Sequence, residues 1–302
     1  MTVRLQPLTR AKVASLGDVG AAWVASLPQT LDALSRAWGL TLGRPLPGGS
    51  ASYVVAARTV TGESRVLKVA IPDRALVGEA RVLAAARGQG YARLHAHDPD
   101  RHALLLESLG RSLEQTPMPV EAKLAALVDT LQEAWRVPLS TVPEAPPGDD
   151  RASVLRRLVL ELDTRLGHPT RPNVLARACE YAERRAAAHD PGRCVVAHGD
   201  PHPANLLRRP HAGWALVDPE GVRADPTYDL GVALRDWTGQ LAGDARAVLD
   251  GYCDLLADSS GLDRQAIWEW GFLERVSTGL YVCSFGAHTV GRRFLDSAEA
   301  LV

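Results

Sequence analysis

The chain is short of lysine and cysteine. Lys12, Lys68 and Lys123 are the only lysines among 34 basic residues, so chemistry that needs an ammonium group has three candidates. The four cysteines form no Cys-x-x-Cys pair, which indicates neither a zinc ribbon nor a disulfide framework. The sequence has no signal-peptide pattern at its start and no run of roughly 18 apolar residues. These absences predict a cytoplasmic protein that does not contact membranes.

Net charge is also nearly absent. The 34 basic residues face 35 acidic ones, giving a formal net charge of −1, so no overall field favours nucleic acid or an anionic membrane. The hydrophobic fraction of 46% is that of a globular protein, and 302 residues suggest two domains, each able to bury its own core. Nothing in the composition demands more than a monomer.

The first part of the chain has the texture of a small β-sheet domain. After an N-terminal helical segment (1–39), short β-type runs broken by turn signals fill 40–109, with one helix over Asp73–Arg87. Turn residues predict hairpins at Thr61–Glu63 and Asp98–Arg101, and therefore an antiparallel sheet. The predicted strands are Leu42–Leu46, Ser52–Thr59, Arg65–Ile71, Ala92–His97 and His102–Leu106. This lobe has the order β-β-β-α-β-β.

The second part is mostly helical. Glycine and proline mark 110–119 as a linker, and helical periodicity dominates 120–302. Two short apolar runs, Arg193–Ala197 and Trp214–Val217, with Asn205–Leu207 between them, predict small strands that flank loops. The sequence alone thus predicts an α+β protein with a β-rich lobe followed by a larger helical lobe.

The densest group of polar side chains is His198–Asn205, directly after the first of these apolar runs. Asp218 ends the second run, thirteen residues beyond Asn205. A loop with an aspartate, an asparagine and a second aspartate at strand ends is typical of metal-assisted phosphoryl transfer. One carboxylate accepts the hydroxyl proton of the substrate, while an amide oxygen and another carboxylate hold Mg²⁺.

Two other interpretations apply to the same segment. Asp200 or Asn205 alone could simply cap a turn, although three such residues in this order are harder to explain that way. His198, His202 and His211 could form a zinc site, but prolines on both sides of His202 prevent a two-histidine helical face.

Three segments resemble the aminoglycoside phosphotransferase family, a branch of the protein-kinase-like fold. They are HGDPHPAN (198–205), VDPEG (217–221) and DPTYDLG (225–231). A W-x-x-x-D-P segment and an AAW-x-x-x-LP helix near the start resemble its streptomycin 6-phosphotransferase or aminoglycoside/hydroxyurea resistance kinase group. The resemblance covers about residues 20–290. It implies a bilobal fold with a small antiparallel β-sheet N-lobe containing one helix and a larger, mostly helical C-lobe.

The resemblance also implies roles for five residues in 198–229. Asp200 would be the catalytic base, and Asn205 and Asp218 would be the magnesium ligands. His198 and Asp229 would brace the catalytic loop.

Lys68 is the only lysine within a predicted strand. Period-two alternation places it between small apolar neighbours, where its ammonium would bind the α- and β-phosphates of ATP. A solvent-facing lysine at a sheet edge is the alternative. Glu79, eleven residues further on in the predicted helix, would orient the ammonium, as the resemblance also suggests; a surface glutamate is the alternative.

Two backbone segments would complete the nucleotide site. Gly48, Gly49 and Ser50 lie between the first two strands and allow close approach to phosphate, although the segment is neither G-x-G-x-x-G nor a Walker A sequence. By analogy, the backbone of Glu107 and Leu109 at the end of the sheet would bind adenine.

Charge is unevenly distributed along the chain. Residues 225–302 contain twelve carboxylates and six arginines, a net charge of −6, which leaves +5 on the remainder. An acidic helical region next to the catalytic loop suits a cationic amino sugar, and a basic remainder suits ATP. The predicted substrate contacts are Asp236, Glu269, Glu274 and Trp237. Solvation of helix surfaces is the alternative for the carboxylates, and core packing for the tryptophan.

Together these patterns predict an ATP- and Mg²⁺-dependent O-phosphotransferase that modifies an aminoglycoside, with the 6-hydroxyl of streptomycin as the first choice, and confers resistance. A kinase for another hydroxylated amine, sugar or metabolite is the alternative within enzymes. A non-catalytic nucleotide-binding module is the alternative outside them, and the intact trio of Asp200, Asn205 and Asp218 argues against it.

Overall fold

A computed structural model gives the fold of most of the chain. It describes residues 3–46, 51–71, 76–241 and 243–302. The predicted phosphate-covering residues Gly48, Gly49 and Ser50 therefore lie outside the described residues. The chain divides into two compact units, unit 1 (1–88 and 92–109) and unit 2 (89–91 and 110–302). Across the described ranges, no helix has the length and apolar character needed to span a membrane.

Unit 1 consists of an antiparallel sheet with helices. Its elements are α1 (Pro7–Ser15), α2 (Gly17–Trp38), β1 (Leu40–Pro45), β2 (Ser52–Thr59), β3 (Ser64–Ala70), α3 (Leu76–Ala86), β4 (Leu94–Asp98) and β5 (Ala103–Glu107). The strand order is β1-β2-β3-β5-β4, and every neighbouring pair is antiparallel. The predicted β-β-β-α-β-β order and both hairpins are confirmed. The helices α1 and α2 both lie within the predicted N-terminal helical segment (1–39).

The core of unit 1 lies between α2 and one face of this sheet. Leu27, Leu31 and Leu34 recur at the helical spacing and pack in one cluster with Leu67 and Val69 of β3. Since neighbouring residues of a strand point to opposite faces, Lys68 is directed to the other face. β3 is hydrogen-bonded on both edges, to β2 and β5, so this lysine stands on a central strand.

Unit 2 is mainly helical. Its elements are α4 (Val120–Ala134), α5 (Arg151–Arg165), α6 (Pro172–Ala187), β6 (Val195–Ala197), β7 (Leu206–Arg208), β8 (Trp214–Leu216), β9 (Val222–Ala224), α7 (Thr227–Arg235), α8 (Ala245–Ser260), α9 (Arg264–Ser284) and α10 (His288–Glu299). β6 pairs with β9 and β7 with β8, both antiparallel. β9 was not predicted, because the arginine in Val222–Ala224 interrupts the apolar run by which β6 and β8 were identified.

The helices α7 and α9 pack closely against each other. Gly231 makes the approach possible, because a Cβ atom there would lie 2.3 Å from Cβ of Trp270. All nine residues of α7 and most of α9 are buried. Charged side chains on these helices must therefore find partners inside the protein.

Candidate active site

The loop 198–205 connects β6 to β7 and folds back on itself. Gly199 has φ +94°, and a Cβ there would lie 2.7 Å from Cβ of Glu220, so only glycine fits. The amide Nδ2 of Asn205 donates to the carbonyl oxygen of Asp200 at 3.0 Å. The two residues predicted to act together are thus linked by a direct hydrogen bond.

Asp229 holds the start of this loop. Its fully buried carboxylate accepts hydrogen bonds from the backbone N–H groups of His198 at 2.8 Å and Gly199 at 2.9 Å, and from Nε1 of Trp135 at 2.8 Å. Burial raises the pKa of Asp229 to about 6, although the three hydrogen bonds oppose the shift. The loop is therefore fixed to the first turn of α7.

His198 connects the two predicted catalytic segments. It is fully buried and stacks on Tyr91. Its Nδ1 accepts from the backbone N–H of Asp200 at 3.1 Å, and Nε2 lies 2.9 Å from the carbonyl oxygen of Val217. Since a backbone amide can only donate, Nδ1 is unprotonated and Nε2 carries the hydrogen. Burial lowers the pKa of His198 to about 4, so the ring is neutral at pH 7.

Asp200 presents a partly exposed carboxylate. Its Oδ1 accepts from Nη2 of Arg235 at 2.6 Å, and Nε2 of His202 lies 3.6 Å from Oδ2. Burial alone would raise the pKa of Asp200, but the neighbouring His202 and Arg235 outweigh it and hold the pKa well below the usual range. The group is ionised at neutral pH and is a weak base.

Asn205 and Asp218 have the donor atoms that a magnesium ion prefers. The amide nitrogen of Asn205 is taken by Asp200, so its side-chain oxygen is the group that can serve as a ligand. The backbone N–H of Val217 donates to the carbonyl oxygen of Asn205 at 2.9 Å, and Asp218 is the residue that follows Val217 in the chain. One amide and one carboxylate oxygen fit Mg²⁺, which keeps waters and takes phosphate oxygens as further ligands.

A zinc site is not supported. Both ring nitrogens of His198 are engaged by the backbone, so this histidine has no free lone pair for a metal. Over the part of the chain that the structure describes, no group of three or more His, Cys, Asp or Glu side chains could hold a metal ion.

Lys68 and Glu79 form a buried ion pair within unit 1. Nζ of Lys68 lies 2.7 Å from Oε1 and 2.8 Å from Oε2 of Glu79, and both side chains are 1% exposed. The pair joins the central strand β3 to α3, as the sequence predicted. The backbone N–H of Glu107 donates to the carbonyl oxygen of Arg93, so in this structure that N–H is not available to adenine. Leu109 is the last residue of unit 1.

Two predicted substrate contacts, both on α9, are buried inside unit 2. Glu269 is 1% exposed and pairs with Arg184 at 3.0 Å and Arg185 at 2.6 Å. Glu274 is equally buried and accepts a hydrogen bond from the hydroxyl of Tyr228 at 2.7 Å. Because both carboxylates are paired with side chains inside unit 2, we do not assign substrate contacts to them.

Trp237 is also internal, whereas Asp236 is accessible. The indole of Trp237 is 9% exposed and donates to the carbonyl oxygen of Ala233 at 2.9 Å, so it packs rather than stacks on a ligand. The side chain of Asp236 is 22% exposed, and its buried Oδ2 atom has no hydrogen-bond partner. Oε2 of Glu269 also has no hydrogen-bond donor, but it lies 2.6 Å from Arg185 and its side chain is 1% exposed, so Asp236 is the better placed of the two to contact a substrate.

The sequence reasoning missed Arg235 and Tyr228, which contact the loop directly. Arg235 binds Asp200, and the hydroxyl of Tyr228 lies 3.2 Å from the carbonyl oxygen of Gly199. A signal was available for Arg235, because it is a permanent charge at the end of the otherwise apolar run Leu230–Leu234. A buried charge of this kind requires an acidic partner.

The fold is that of the kinase-like small-molecule phosphotransferases. A solved aminoglycoside phosphotransferase, in a ternary complex with ADP and hygromycin B, superposes with a TM-score of 0.62 at 13% identity, over 89% of this chain and 97% of that one. This likeness defines the fold class.

The family follows from the sequence comparisons. Residues 37–284 match the model of the aminoglycoside/hydroxyurea antibiotic resistance kinases. Streptomycin 6-kinase of Streptomyces griseus is 30% identical over 94% of this chain and 92% of its own length. Hydroxyurea phosphotransferase of Kitasatospora aureofaciens is 28% identical over 95% and 82%. The chain belongs to this family and is a phosphotransferase that acts on a hydroxyl group.

Proposed function

We propose that this protein uses ATP and Mg²⁺ to phosphorylate an aminoglycoside hydroxyl, and that the 6-hydroxyl of streptomycin is its acceptor. The observation that carries the proposal is the hydrogen bonding of the loop around Asp200, whose carboxylate is ionised and partly exposed. The side chain of Asn205 donates to the backbone of Asp200, and the backbone of Val217, the residue before Asp218, donates to the backbone of Asn205. The relatives named streptomycin 6-kinase support the acceptor, and the ADP in the solved relative supports the nucleotide. In this proposal the enzyme confers resistance as a cytoplasmic monomer.

The chain's own residues divide the work. Asp200 orients the acceptor hydroxyl and takes its proton late in the transfer, because a carboxylate of low pKa is a weak base for an alcohol. Asn205 and Asp218 hold Mg²⁺, which when bound neutralises charge on the phosphates. Lys68, kept in place by Glu79, binds the α- and β-phosphates.

Asp236 offers a contact for the cationic acceptor. It directly follows Arg235, the partner of Asp200, and its Oδ2 atom is a buried acceptor with no donor. The side chain is 22% exposed, so a guanidinium or ammonium group of the substrate can approach the carboxylate from solvent and offset the cost of its unpaired oxygen.

Hydroxyurea is the second candidate acceptor. The family includes hydroxyurea kinases, and one of the named relatives is a hydroxyurea phosphotransferase. Hydroxyurea is small and uncharged, so it would gain only a neutral hydrogen bond from Asp236 and not the charge pairing available to a guanidinium or ammonium group.

Mass spectrometry separates these candidates. Streptomycin, hydroxyurea and other hydroxylated amines are each incubated with the protein, Mg²⁺ and either ATP or GTP. We expect one added phosphate on streptomycin, none with Asp200→Ala, and an unaltered yield with Asp258→Asn, which changes an exposed aspartate of the same unit. Phosphate on hydroxyurea alone would assign the second candidate, and no product from any acceptor would refute both.

A further inference from the structure

The carboxylate of Asp200 is held by an arginine that is itself anchored from α9. Arg235 is 8% exposed at the end of α7. Its Nη2 donates to Oδ1 of Asp200 at 2.6 Å, while Nη1 donates to Oγ1 of Thr278 at 3.0 Å and lies 3.6 Å from Oε2 of Glu274. One guanidinium therefore joins a catalytic-loop carboxylate to a buried carboxylate on α9.

Glu274 reaches the same loop by a second route. Its Oε1 accepts from the hydroxyl of Tyr228 at 2.7 Å, and that hydroxyl also lies 3.2 Å from the carbonyl oxygen of Gly199. Arg151 donates to the same hydroxyl and pairs with Glu220, two residues after Asp218, at 3.2 Å. Glu274 also lies 3.7 Å from Arg151 and accepts a hydrogen bond from Ser277. Of its partners, Tyr228 and Arg235 contact the loop 198–205 directly.

We infer that Glu274 is a positioning residue for phosphate transfer, which acts through Arg235 to hold Oδ1 of Asp200 and leave Oδ2 for the acceptor hydroxyl. The inference rests on the proposed function, because it takes Asp200 as the group that orients the acceptor. Glu274 is 3% exposed, and a charge so buried is retained only where its partners compensate for lost hydration.

The expected consequence is a change in turnover rather than in binding. Without the charge of Glu274, Arg235 loses its ion pair on α9 and keeps there the neutral hydrogen bond to Thr278, so Asp200 can leave its productive orientation. A misplacement of the order of 1 Å at a reacting group can lower the rate of the chemical step about 100-fold. The nucleotide contacts do not involve this chain of residues, so the KM for ATP should stay within about twofold.

Glu269 provides a matched control. It lies on the same helix, is buried to the same degree and pairs with two arginines, Arg184 and Arg185 of α6. Both of its charged partners lie away from the loop 198–205. Glu269→Gln therefore reproduces the loss of a buried charge on α9 without altering the support of Asp200.

The test compares Glu274→Gln with Glu269→Gln in the full chain, using an acceptor that the wild type phosphorylates. Single-turnover transfer of labelled phosphate avoids masking by product release, and thermal melts report folding. We expect Glu274→Gln to lower the transfer rate at least tenfold and Glu269→Gln to leave it within about twofold, with comparable melting shifts. Equal transfer rates in the two variants, whether both normal or both reduced, would overturn the inference.

A second variant tests the route through Arg235. Arg235→Lys keeps the charge but replaces two guanidinium nitrogens that bind different partners by a single nitrogen, so it cannot hold Asp200 and Glu274 in the same geometry. It should show the same selective loss of transfer, including where Glu274→Gln does not fold. In the double variant the two losses should be far from additive, because both act on one contact. Additive losses, or a normal rate in Arg235→Lys, would contradict the inference. A wild type that phosphorylates no acceptor would instead refute the proposed function.

Discussion

Replacing Lys68 by methionine removes one charge from the most deeply buried ion pair of unit 1 and keeps the length of the side chain. Its partner Glu79 is 1% exposed and lies 2.7 Å from the ammonium, so the variant leaves a carboxylate without its counter-ion in the interior. Removal of one partner from a buried pair costs about 3–5 kcal/mol. Since whole domains are stable by about 5–15 kcal/mol, a large share of the stability of unit 1 depends on this contact.

Hydrogen exchange measured by mass spectrometry reports this loss of stability in β3 itself. We expect the opening free energy of the β3 amides to fall by about 3–5 kcal/mol in Lys68→Met. The double variant Lys68→Met/Glu79→Met replaces the pair by two apolar side chains of similar volume and should recover most of that loss. Lys123→Met, at a partly exposed lysine on α4, should change stability by no more than about 0.5 kcal/mol.

The same variants separate stability from function. Phosphate transfer should stay lost in the double variant although its stability returns, because both variants lack the ammonium that we propose binds phosphate. Unchanged β3 protection in Lys68→Met, or a double variant no more stable than the single one, would refute the energetic reasoning. Wild-type transfer in the double variant would refute the role of Lys68.

Two further predictions concern unit 2. Gly231→Ala places a Cβ atom 2.3 Å from Cβ of Trp270 and should destabilise by about 1–3 kcal/mol or more in urea melts. Gly251→Ala in α8, where nothing lies within 4 Å, should instead stabilise by about 0.5–1 kcal/mol, and equal effects would contradict the packing argument. Asp229 has its pKa raised from 3.8 to about 6, so the native state holds this proton more tightly than the unfolded chain. The free energy of unfolding should therefore decline between pH 4 and pH 6 as pH rises, and Asp229→Asn should flatten the decline; an unchanged slope would contradict the assignment.

The architecture of unit 1 could be predicted because its signals are local. Alternating residues define β3 as Ser64–Ala70, close to the expected Arg65–Ile71, and the turn residues of both hairpins fix which strands pair. The ion pair between Lys68 and Glu79 could be predicted because Glu79 lies in the helix that follows β3, eleven residues after Lys68. The helix α1 lies within the predicted helical segment 1–39, but its separation from α2 was not predicted, because its nine residues carry no clear apolar stripe.

The predictions on α9 depended on long-range contacts that no local pattern reveals. Helical spacing placed Glu269 and Glu274 on a helix, but it could not show that every residue of this helix from Ala266 to Ser277 is buried. Their arginine partners lie far away in the sequence; Arg184, for example, precedes Glu269 by 85 residues. The sequence pattern around a carboxylate is the same on an exposed helix and on a buried one, so the two can be distinguished only once the partners are known.

The interpretation of the net charge of residues 225–302 also changes once the arginine partners are known. The −6 of residues 225–302 is partly neutralised by arginines from the more basic remainder, since Arg184 and Arg185 pair with Glu269 and Arg171 pairs with Glu299 at 2.8 Å. A cationic acceptor would therefore be attracted by carboxylate oxygens that the fold leaves without a donor, and not by the net charge of residues 225–302. Asp236 meets that condition beside the catalytic loop, and Glu274 does not. Asp236→Asn should accordingly raise the KM for a cationic acceptor and leave the KM for ATP unchanged, and steady-state kinetics with equal effects on both substrates would contradict this view of the acidic region.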